Sequence, residues 1–170
     1  MPTYAFRRLN EDDFDSAYAI LVEVTDWLLS KGVRQWMQPI PRDLYAQRQL
    51  EGENYGLLIN DALAAVISLL HLRPDYWADE LPNEDSYRWM ATLASSRQFK
   101  GQKLGELILS EAEQFLINEG VPALYLDCIY GQGALPEFYT SLGYRQIARK
   151  NIEFPHGTFD SVLMRKKLYR

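Results

Sequence analysis

The chain of 170 residues is long enough for one domain with its own hydrophobic core, since domains cluster at roughly 100–150 residues. Its 47% hydrophobic and 24% charged residues are typical of a soluble globular protein, and we expect a single domain over residues 1–170. The net charge of −5 argues against nucleic acid as a partner, because such binding needs a basic face. The one cysteine, Cys128, excludes an internal disulfide and a thiolate metal cluster.

The ends of the chain and its apolar runs carry no sign of a membrane or of export. Residues 1–8 lack the apolar core of a signal peptide, and no apolar run reaches membrane-spanning length. We therefore expect a cytoplasmic protein with no membrane partner and no bound metal. A homodimer is compatible with this sequence.

The first third of the chain is predicted to form one strand and two helices. Residues 3–9 alternate as a strand does, and Asn10 then offers an N-cap followed by three acids that favour a helix dipole. Apolar residues recur at helical spacing over residues 11–30, and Gly32 ends that helix. A shorter helix is predicted over residues 41–50, with a proline at its start.

The middle of the chain is predicted to form a hairpin, a loop and a strand. The hairpin covers residues 55–70 and turns at Asn60-Asp61, which is a strong turn signal. The acidic stretch 73–85 reads as a loop, and residues 87–94 read as a fourth strand.

The last part of the chain alternates helices with strands. Residues 104–119 form a helix with one apolar face, and residues 123–128 are apolar enough for the centre of a sheet. A short helix over residues 135–142 precedes a closing hairpin of strands 147–154 and 159–166. This order of elements implies an α/β fold in which helices cover both faces of a mixed sheet.

A strand, a basic glycine-bearing turn and a helix follow one another over residues 93–107. A helix start leaves unpaired N–H groups and carries about half a positive charge, so it binds phosphate. Gly101 and Gly105 let the backbone approach a bulky anion, and Lys100 and Lys103 add charge. An ordinary connection with solvated lysines explains these residues equally well.

This segment resembles the acyl-CoA-binding motif of the GNAT superfamily of N-acetyltransferases, Arg/Gln-x-x-Gly-x-Gly/Ala. Lys100 stands at the first position, Lys103 at the first glycine and Gly105 at the second. Because lysine does not take a positive φ cheaply, we expect Lys103 in right-handed helical or extended backbone. The resemblance implies that acetyl-CoA is bound by residues at the strand end, in the turn and at the helix start: Leu93, Ala94, Lys100, Gly101, Gln102, Lys103, Leu104 and Gly105.

A second segment, residues 126–144, is similar to a later motif of the same family. That motif runs from a strand through an Asn-bearing loop to a helix ending in Phe-Tyr-x-x-x-Gly-Phe. Gln132 stands in the Asn position and would contact the coenzyme, and residues 138–144 follow the pattern. The two motifs together imply a mostly antiparallel sheet of six or seven strands flanked by about four helices.

The resemblance also implies a reaction. Acetyl-CoA, as a co-substrate, would lie between the fourth and fifth strands, where backbone N–H groups near Leu93 and Ala94 face the thioester oxygen. A primary amine, of a small molecule or a peptide, would attack the thioester directly, so Cys128 is not expected to be a nucleophile. Tyr139 would contact the coenzyme and protonate the leaving thiolate, since a phenol has a pKa of about 10 and a thiol about 8.5. Packing of Tyr139 as a core aromatic is the competing role.

The sequence does not decide which residue is the base that takes the proton of the amine. Asp127, Glu84 and Asp85 rank together as candidates, and His71 and His156 are further ones. Each of them is also explained by an ordinary structural role, as a solvated acid or a hydrogen-bonded histidine.

The acceptor site is expected to be built from the segment between the first two helices together with the final hairpin. Trp27, Gln35 and Trp36 are the residues predicted to line it, because aromatic side chains commonly line ligand pockets. Tyr76 and Trp77 could extend the same wall. Packing of these aromatic residues in the core is an equal alternative.

Two other functions compete with an enzyme. A non-catalytic acyl-CoA-binding or sensor module on the same fold would tolerate the departures at Lys103 and Gln132. An unrelated nucleotide-binding domain is disfavoured, because neither a Gly-x-x-x-x-Gly-Lys-Ser/Thr run nor a full Gly-x-Gly-x-x-Gly is present.

Overall fold

Seven strands and four helices follow one another in the predicted order. The computed structural model describes residues 1–83 and 86–169. The elements are β1 (Tyr4–Arg8), α1 (Phe14–Ser30), α2 (Arg42–Leu50), β2 (Asn54–Ile59), β3 (Ala62–Leu70), β4 (Arg88–Ser95), α3 (Leu104–Asn118), β5 (Ala123–Ile129), α4 (Leu135–Ser141), β6 (Arg145–Phe154) and β7 (Gly157–Lys167). None of the helices within the described ranges is long and apolar enough to cross a membrane.

The seven strands form one sheet in the order β1-β2-β3-β4-β5-β7-β6. All neighbours are antiparallel except β4 and β5, which are parallel. The closing hairpin enters the sheet by its second strand, so β7 lies between β5 and β6. The predicted fold class, a mostly antiparallel mixed sheet with about four helices, is confirmed.

Helices cover both faces of this sheet. On one face α3 and α4 pack through residues such as Ile108 and Tyr139 against β5 and its neighbours. On the other face α1 and α2 pack through Leu21 and Tyr45 against Val66 and neighbouring residues. Helices therefore cover both faces of the sheet, as expected. The central strands are apolar at successive positions because both of their faces are buried.

The first predicted helix begins as a separate turn. Residues Glu11–Asp13 form a 3₁₀ turn before α1. The Asn10 side chain accepts from the Asp13 N–H at 3.2 Å, and the Asp13 carboxylate accepts from the Asn10 N–H at 2.7 Å. Arg7 also holds Asp13, with its Nη1 2.6 Å from Oδ2. A reciprocal cap of this kind fixes the entry of the chain into a helix.

The stretch predicted as a loop over residues 73–85 contains a further 3₁₀ turn, Asp75–Trp77. Trp77 is fully buried, and it packs on Trp89 of β4, Tyr125 of β5 and Leu163 of β7. Of the two roles considered for Trp77, packing in the core is the one that the structure shows. The short turn inside the loop was not predicted. One helical turn is too short to show periodicity, and burial of its tryptophan is what anchors it.

Strand β4 is bent by a bulge that the sequence does not reveal. Its pairing with β3 shifts register at Thr92, which has a φ of 50°. The Thr92 hydroxyl lies 2.6 Å from that of Ser68 on β3. The bulge interrupts the alternation of the strand, so Met90 and Leu93 both pack in the α3 cluster while Ala94 packs in the α1 cluster. A β-branched residue at positive φ is a true outlier that costs roughly 1–3 kcal/mol.

Lys103, which precedes α3, corrects a second expectation. It has φ 54° and ψ 39°, which is left-handed backbone, and its side chain makes no cap. The prediction of right-handed or extended backbone at this position was wrong. The chain must turn sharply between the 3₁₀ turn Arg97–Phe99 and α3. The turn holds Lys103 in left-handed backbone although lysine prefers a negative φ, which costs roughly 1–2 kcal/mol of conformational energy.

Lys103→Gly should therefore stabilise the protein. Relief of left-handed strain outweighs the entropy that glycine adds to the unfolded chain, for a net gain of about 0.5–1 kcal/mol. That gain corresponds to a rise of roughly 1–4 °C in Tm, measurable by calorimetry. Lys100, with φ −55°, is the matched control, and Lys100→Gly should lower Tm. Equal shifts in both variants would contradict the assignment of strain.

Candidate active site

The two parallel strands at the centre of the sheet separate after a short contact. Within the described residues, β4 and β5 pair at Arg88–Leu124 and Trp89–Tyr125. Beyond these pairs β4 continues along β3, and β5 continues along β7 to Ile129. A gap therefore opens between the carboxyl ends of the two strands, where ligands bind in open sheets.

Three connected cavities lie at this gap, and Gln35 and Trp36 line all of them. The central cavity, of about 660 Å³, is lined among others by Arg48, Tyr76, Trp89, Asp127 and Tyr139. The hairpin cavity, of about 330 Å³, is lined among others by Asp127, Cys128, Phe154, His156 and Phe159. The α3-side cavity, of about 180 Å³, is lined among others by Trp27, Leu93, Ala94, Gly105 and Tyr139.

Tyr139 stands where the central and α3-side cavities meet. It lines both, as Leu93 does, although only 5% of the residue is exposed. Burial raises the pKa of the Tyr139 phenol above its ordinary value, and the nearby Cys128 and Asp127 add to that shift. The hydroxyl therefore stays protonated at neutral pH and offers a hydrogen-bond donor. Full transfer of its proton is less favourable than for a phenol in water.

Cys128 is a thiol in this environment. Burial raises its pKa to about 12, and Asp127 contributes to the shift. Its Sγ lies 4.0 Å from Sδ of Met164 in the core. A neutral buried thiol fits the expectation that it packs rather than attacks.

The residues predicted to hold the coenzyme phosphates surround the start of α3. Lys100, Gly101, Gln102 and Lys103 are exposed. The first N–H bonded within the helix is that of Leu107, which donates to Lys103 at 3.1 Å. The N–H groups before it have no intrahelical partner, so the positive end of the helix is available to an anion.

Gly101 and Gly105 differ in what they provide. Gly101 has a φ of 80°, and a Cβ there would meet nothing within 4 Å. A Cβ on Gly105 would lie 3.6 Å from Cζ of Phe138 on α4. Gly105 therefore borders both the α3-side cavity and the packing of α3 against α4, whereas the buried Leu104 belongs to the core.

Trp27 lies on the α3 side of the gap. It lines the α3-side cavity, and the Arg97 guanidinium stands 3.9 Å above its ring centre. The Arg97 N–H donates to the Glu23 carboxylate at 3.1 Å. Of the three predicted acceptor residues, the structure brings Gln35 and Trp36 to the central cavity and leaves Trp27 outside its lining.

Gln132 connects two loops. Its side-chain oxygen accepts from the Arg34 N–H at 3.0 Å, which ties the loop after β5 to the segment between α1 and α2. It does not line any of the three cavities.

Asp127 projects from β5 into the gap between two aromatic residues. Trp77 Nε1 donates to its carboxylate at 2.9 Å, and Tyr76 lines the same two cavities as Asp127. Burial raises the pKa of Asp127, and the Trp77 and Tyr76 side chains lower it by less. The pKa of Tyr76 is raised in turn, because its hydroxyl is withdrawn from water beside the carboxylate. Trp77 thus supports Asp127, while Tyr76, 38% exposed, lies at the cavity mouth.

The other predicted bases have different positions. The His71 N–H and Nδ1 both lie 2.9 Å from Oε1 of the buried Glu53, so His71 has a structural partner. His156 lines the hairpin cavity between Phe154 and Phe159. Glu84 and Asp85 lie outside the described residues.

Sequence reasoning missed Arg48, which lines the central cavity from α2. Its Nη1 is buried and has no hydrogen-bond partner among the described residues. A single arginine in a short polar helix resembles an ordinary surface residue. Arg48 comes three residues after Tyr45, so the two side chains lie on the same face of α2. Tyr45 is fully buried, and an aromatic residue at this spacing was the available signal that Arg48 faces inward.

Comparison with known proteins decides the family. A model of the Acetyltransferase (GNAT) family matches residues 21–144. The chain belongs to the GNAT acetyltransferase family. It is 30% identical over 140 residues to the uncharacterized N-acetyltransferase YesJ of Bacillus subtilis (strain 168), covering 78% of this chain and 77% of that one. The prediction of an acyltransferase enzyme is confirmed.

Solved structures of other GNAT proteins share the fold. An acetyltransferase of the GNAT family from Listeria monocytogenes 4b F2365 superposes with a TM-score of 0.82 at 22% identity, covering 97% of this chain and 95% of that one. The PaiA N-acetyltransferase of Thermoplasma acidophilum, solved with coenzyme A, gives 0.67 at 14% identity, covering 97% and 99%. The likeness extends over nearly the whole chain.

Asp127→Asn should stabilise the protein in a pH-dependent way. The variant keeps an oxygen for Trp77 and removes a carboxylate whose folded pKa is raised above its unfolded value of about 3.9. A raised pKa means that the wild-type protein loses stability as pH rises from the unfolded to the folded pKa. Urea unfolding from pH 3.5 to 8 should show no advantage of the variant at the acid end and a constant advantage at the alkaline end. The exposed Asp79→Asn serves as control, and a similar divergence there would refute this interpretation.

Proposed function

We propose that this GNAT protein transfers an acetyl group from acetyl-CoA to a primary amine by direct attack in a ternary complex. The observation that carries the proposal is the gap between β4 and β5, where Tyr139 and Leu93 border both the α3-side and the central cavity. The coenzyme would enter from the α3 side and the amine from the central cavity. The two reactants would then meet beside Tyr139.

The fit of the coenzyme rests on the turn before α3. The helix start carries no side-chain cap, and the open position at Gly101 leaves the backbone accessible to a pyrophosphate. Lys100, Gln102 and Lys103 would contact the phosphates, and the backbone of Leu93 and Ala94 would align the pantetheine arm. Coenzyme A in the solved PaiA neighbour supports this use of the shared fold.

The chemistry needs one nucleophile, one base and one acid. The neutral amine nitrogen attacks the thioester carbonyl carbon, a C–N bond forms and the C–S bond breaks. The negative charge that develops on the carbonyl oxygen is stabilised by a backbone N–H near Leu93 and Ala94. Tyr139 gives its proton to the departing thiolate, and the proton lost by the amine restores the phenol through the base and water.

Asp127 is the favoured base among the described candidates. It lines the central cavity together with Tyr139, and its raised pKa makes it a stronger proton acceptor than an ordinary aspartate. Glu84 and Asp85 stay candidates, because they come shortly before β4 in the sequence.

Acetyl-CoA should raise Tm. A ligand that binds only the folded state contributes about 2.7 kcal/mol at a hundredfold excess over Kd, which is roughly 5–11 °C for a chain of this size. S-acetylpantetheine, which lacks the pyrophosphate, should shift Tm much less. Lys100→Glu should reduce the acetyl-CoA shift, whereas Lys167→Glu, the same charge change beside Ala123 at the opposite end of β5, should not. No shift at millimolar acetyl-CoA would eliminate the coenzyme assignment.

Tyr139→Phe tests the acid. The variant keeps ring packing and removes the proton donor, so kcat should fall on the order of 10²-fold while the affinity for acetyl-CoA stays within a few-fold. The acceptor is first identified by thiol release with a panel of amino acids, polyamines, aminoglycosides and peptides.

Tyr144→Phe is the matched control for that variant. Tyr144 is a buried neighbour, 5.7 Å from Tyr139 between ring centres, and its hydroxyl donates to Glu113 at 2.8 Å. Removing that hydroxyl should cost about 1 kcal/mol of stability and leave kcat near wild type. A Tyr139 variant with normal kcat and reduced stability would assign Tyr139 to the core instead.

A further inference from the structure

The central cavity contains a cation that acetyl transfer does not use. Arg48 lines the cavity, and its Nη1 is buried without a hydrogen-bond partner among the described residues. A buried N–H of a charged group that lacks a partner costs free energy. An acceptor atom supplied by a ligand would remove that cost.

The acidic neighbour of Arg48 does not satisfy it. The charge of the Glu53 carboxylate acts on Arg48, but Arg48 Nη1 has no hydrogen-bond partner among the described residues. The Glu53 Oε1 accepts instead from the N–H and Nδ1 of His71. Arg73, the other arginine of the cavity lining, has an interaction of its own. Arg48 is therefore the cation with an orphan donor in this cavity, within the part of the chain that the structure describes.

Tyr76 relates Arg48 to the reaction centre. Arg48, Tyr76 and Asp127 all line the central cavity. The charges of Arg48 and Asp127 both act on the Tyr76 hydroxyl. A ligand that carries an anion and an amine can therefore face both charged groups within one cavity.

We propose that the acceptor of this enzyme is a small amino acid, whose carboxylate is bound by Arg48 while its amine faces Asp127. This inference rests on the proposed N-acetyltransferase function and names its substrate class. A guanidinium presents parallel N–H donors that match a carboxylate. The apolar walls of the cavity, at Ile40, Trp36 and Trp89, would contact an apolar or aromatic side chain.

The same geometry excludes other amines. A polyamine or an aminoglycoside carries no carboxylate and would bring a second cation toward Arg48. A peptide has an amide where an amino acid has its carboxylate, so it could not neutralise the guanidinium. Amino acids are favoured over these other amines because a ligand without a carboxylate leaves the buried Arg48 donor without a partner.

Matched pairs of amino acids and their amides test the proposal. Binding of L-leucine and L-leucinamide, and of L-phenylalanine, L-methionine and their amides, is measured by calorimetry with coenzyme A present. The wild-type protein should bind at least one acid roughly ten- to a hundredfold tighter than its amide, the range expected for charge-assisted hydrogen bonds. Arg48→Gln should reduce this ratio to within about threefold. Arg42→Gln, the same charge change at an exposed site of α2, should preserve it.

The thermal midpoint separates a binding role from a structural one. If Arg48 is present for a ligand, Arg48→Met should keep Tm at or above the wild-type value, because a buried unpaired cation is removed. If Arg48→Met lowers Tm by several degrees and Arg48→Gln leaves the ratio of acid to amide affinity unchanged, Arg48 has a structural role and the proposal is overturned. Equal affinity for every acid and its amide in the wild-type protein would overturn it as well.

Turnover of the same ligands distinguishes this inference from the proposed function. Carboxylate-dependent binding without acetylation of any amine would keep the carboxylate site at Arg48 and contradict the proposed acetyl transfer. Acetylation of polyamines with no binding or acetylation of any amino acid would support acetyl transfer and refute the amino acid as acceptor.

Discussion

The separation of β4 from β5 is the constraint on which the rest of this protein depends. After two paired positions, the facing edges of both strands lose their strand partners, and backbone groups there must find other ones. The bulge at Thr92 carries β4 away and moves Ala94 onto the opposite face. Because of this separation, Tyr139 and Leu93 border both the central and the α3-side cavity, which is where the proposed reaction would bring the coenzyme and its acceptor together.

Features that cost stability lie near this gap. Thr92 has a strained backbone, Asp127 is a carboxylate with a raised pKa, and Arg48 has a buried donor without a partner. An ordinary core would lose such groups, since each of them opposes folding. Their position around connected cavities indicates that a ligand offsets part of the cost. The stability measurements on Asp127 and Arg48 variants examine that relation directly.

Regular elements could be predicted from the sequence because their signals are local. Helical periodicity located α1 and α3, and Asn60-Asp61 located the turn between β2 and β3, where both residues do have positive φ. Left-handed Lys103 contradicts its prediction, and the bulge at Thr92 and the 3₁₀ turn that buries Trp77 were not predicted. All three are imposed by tertiary contacts, and local patterns do not report such contacts.

The two halves of the site differ in the same way. The proposed coenzyme half is contiguous, because a strand end, a turn and a helix start over residues 93–105 suffice to present backbone N–H groups to a phosphate. The proposed acceptor half is assembled from Arg48, Tyr76 and Asp127, which are far apart in the chain and each ordinary in its local setting. Only the fold brings them to one cavity. On this proposal, substitutions in the acceptor half can change the amine without disturbing the coenzyme. A sequence motif can therefore identify the family, while the substrate has to be inferred from the arrangement of side chains around the cavity.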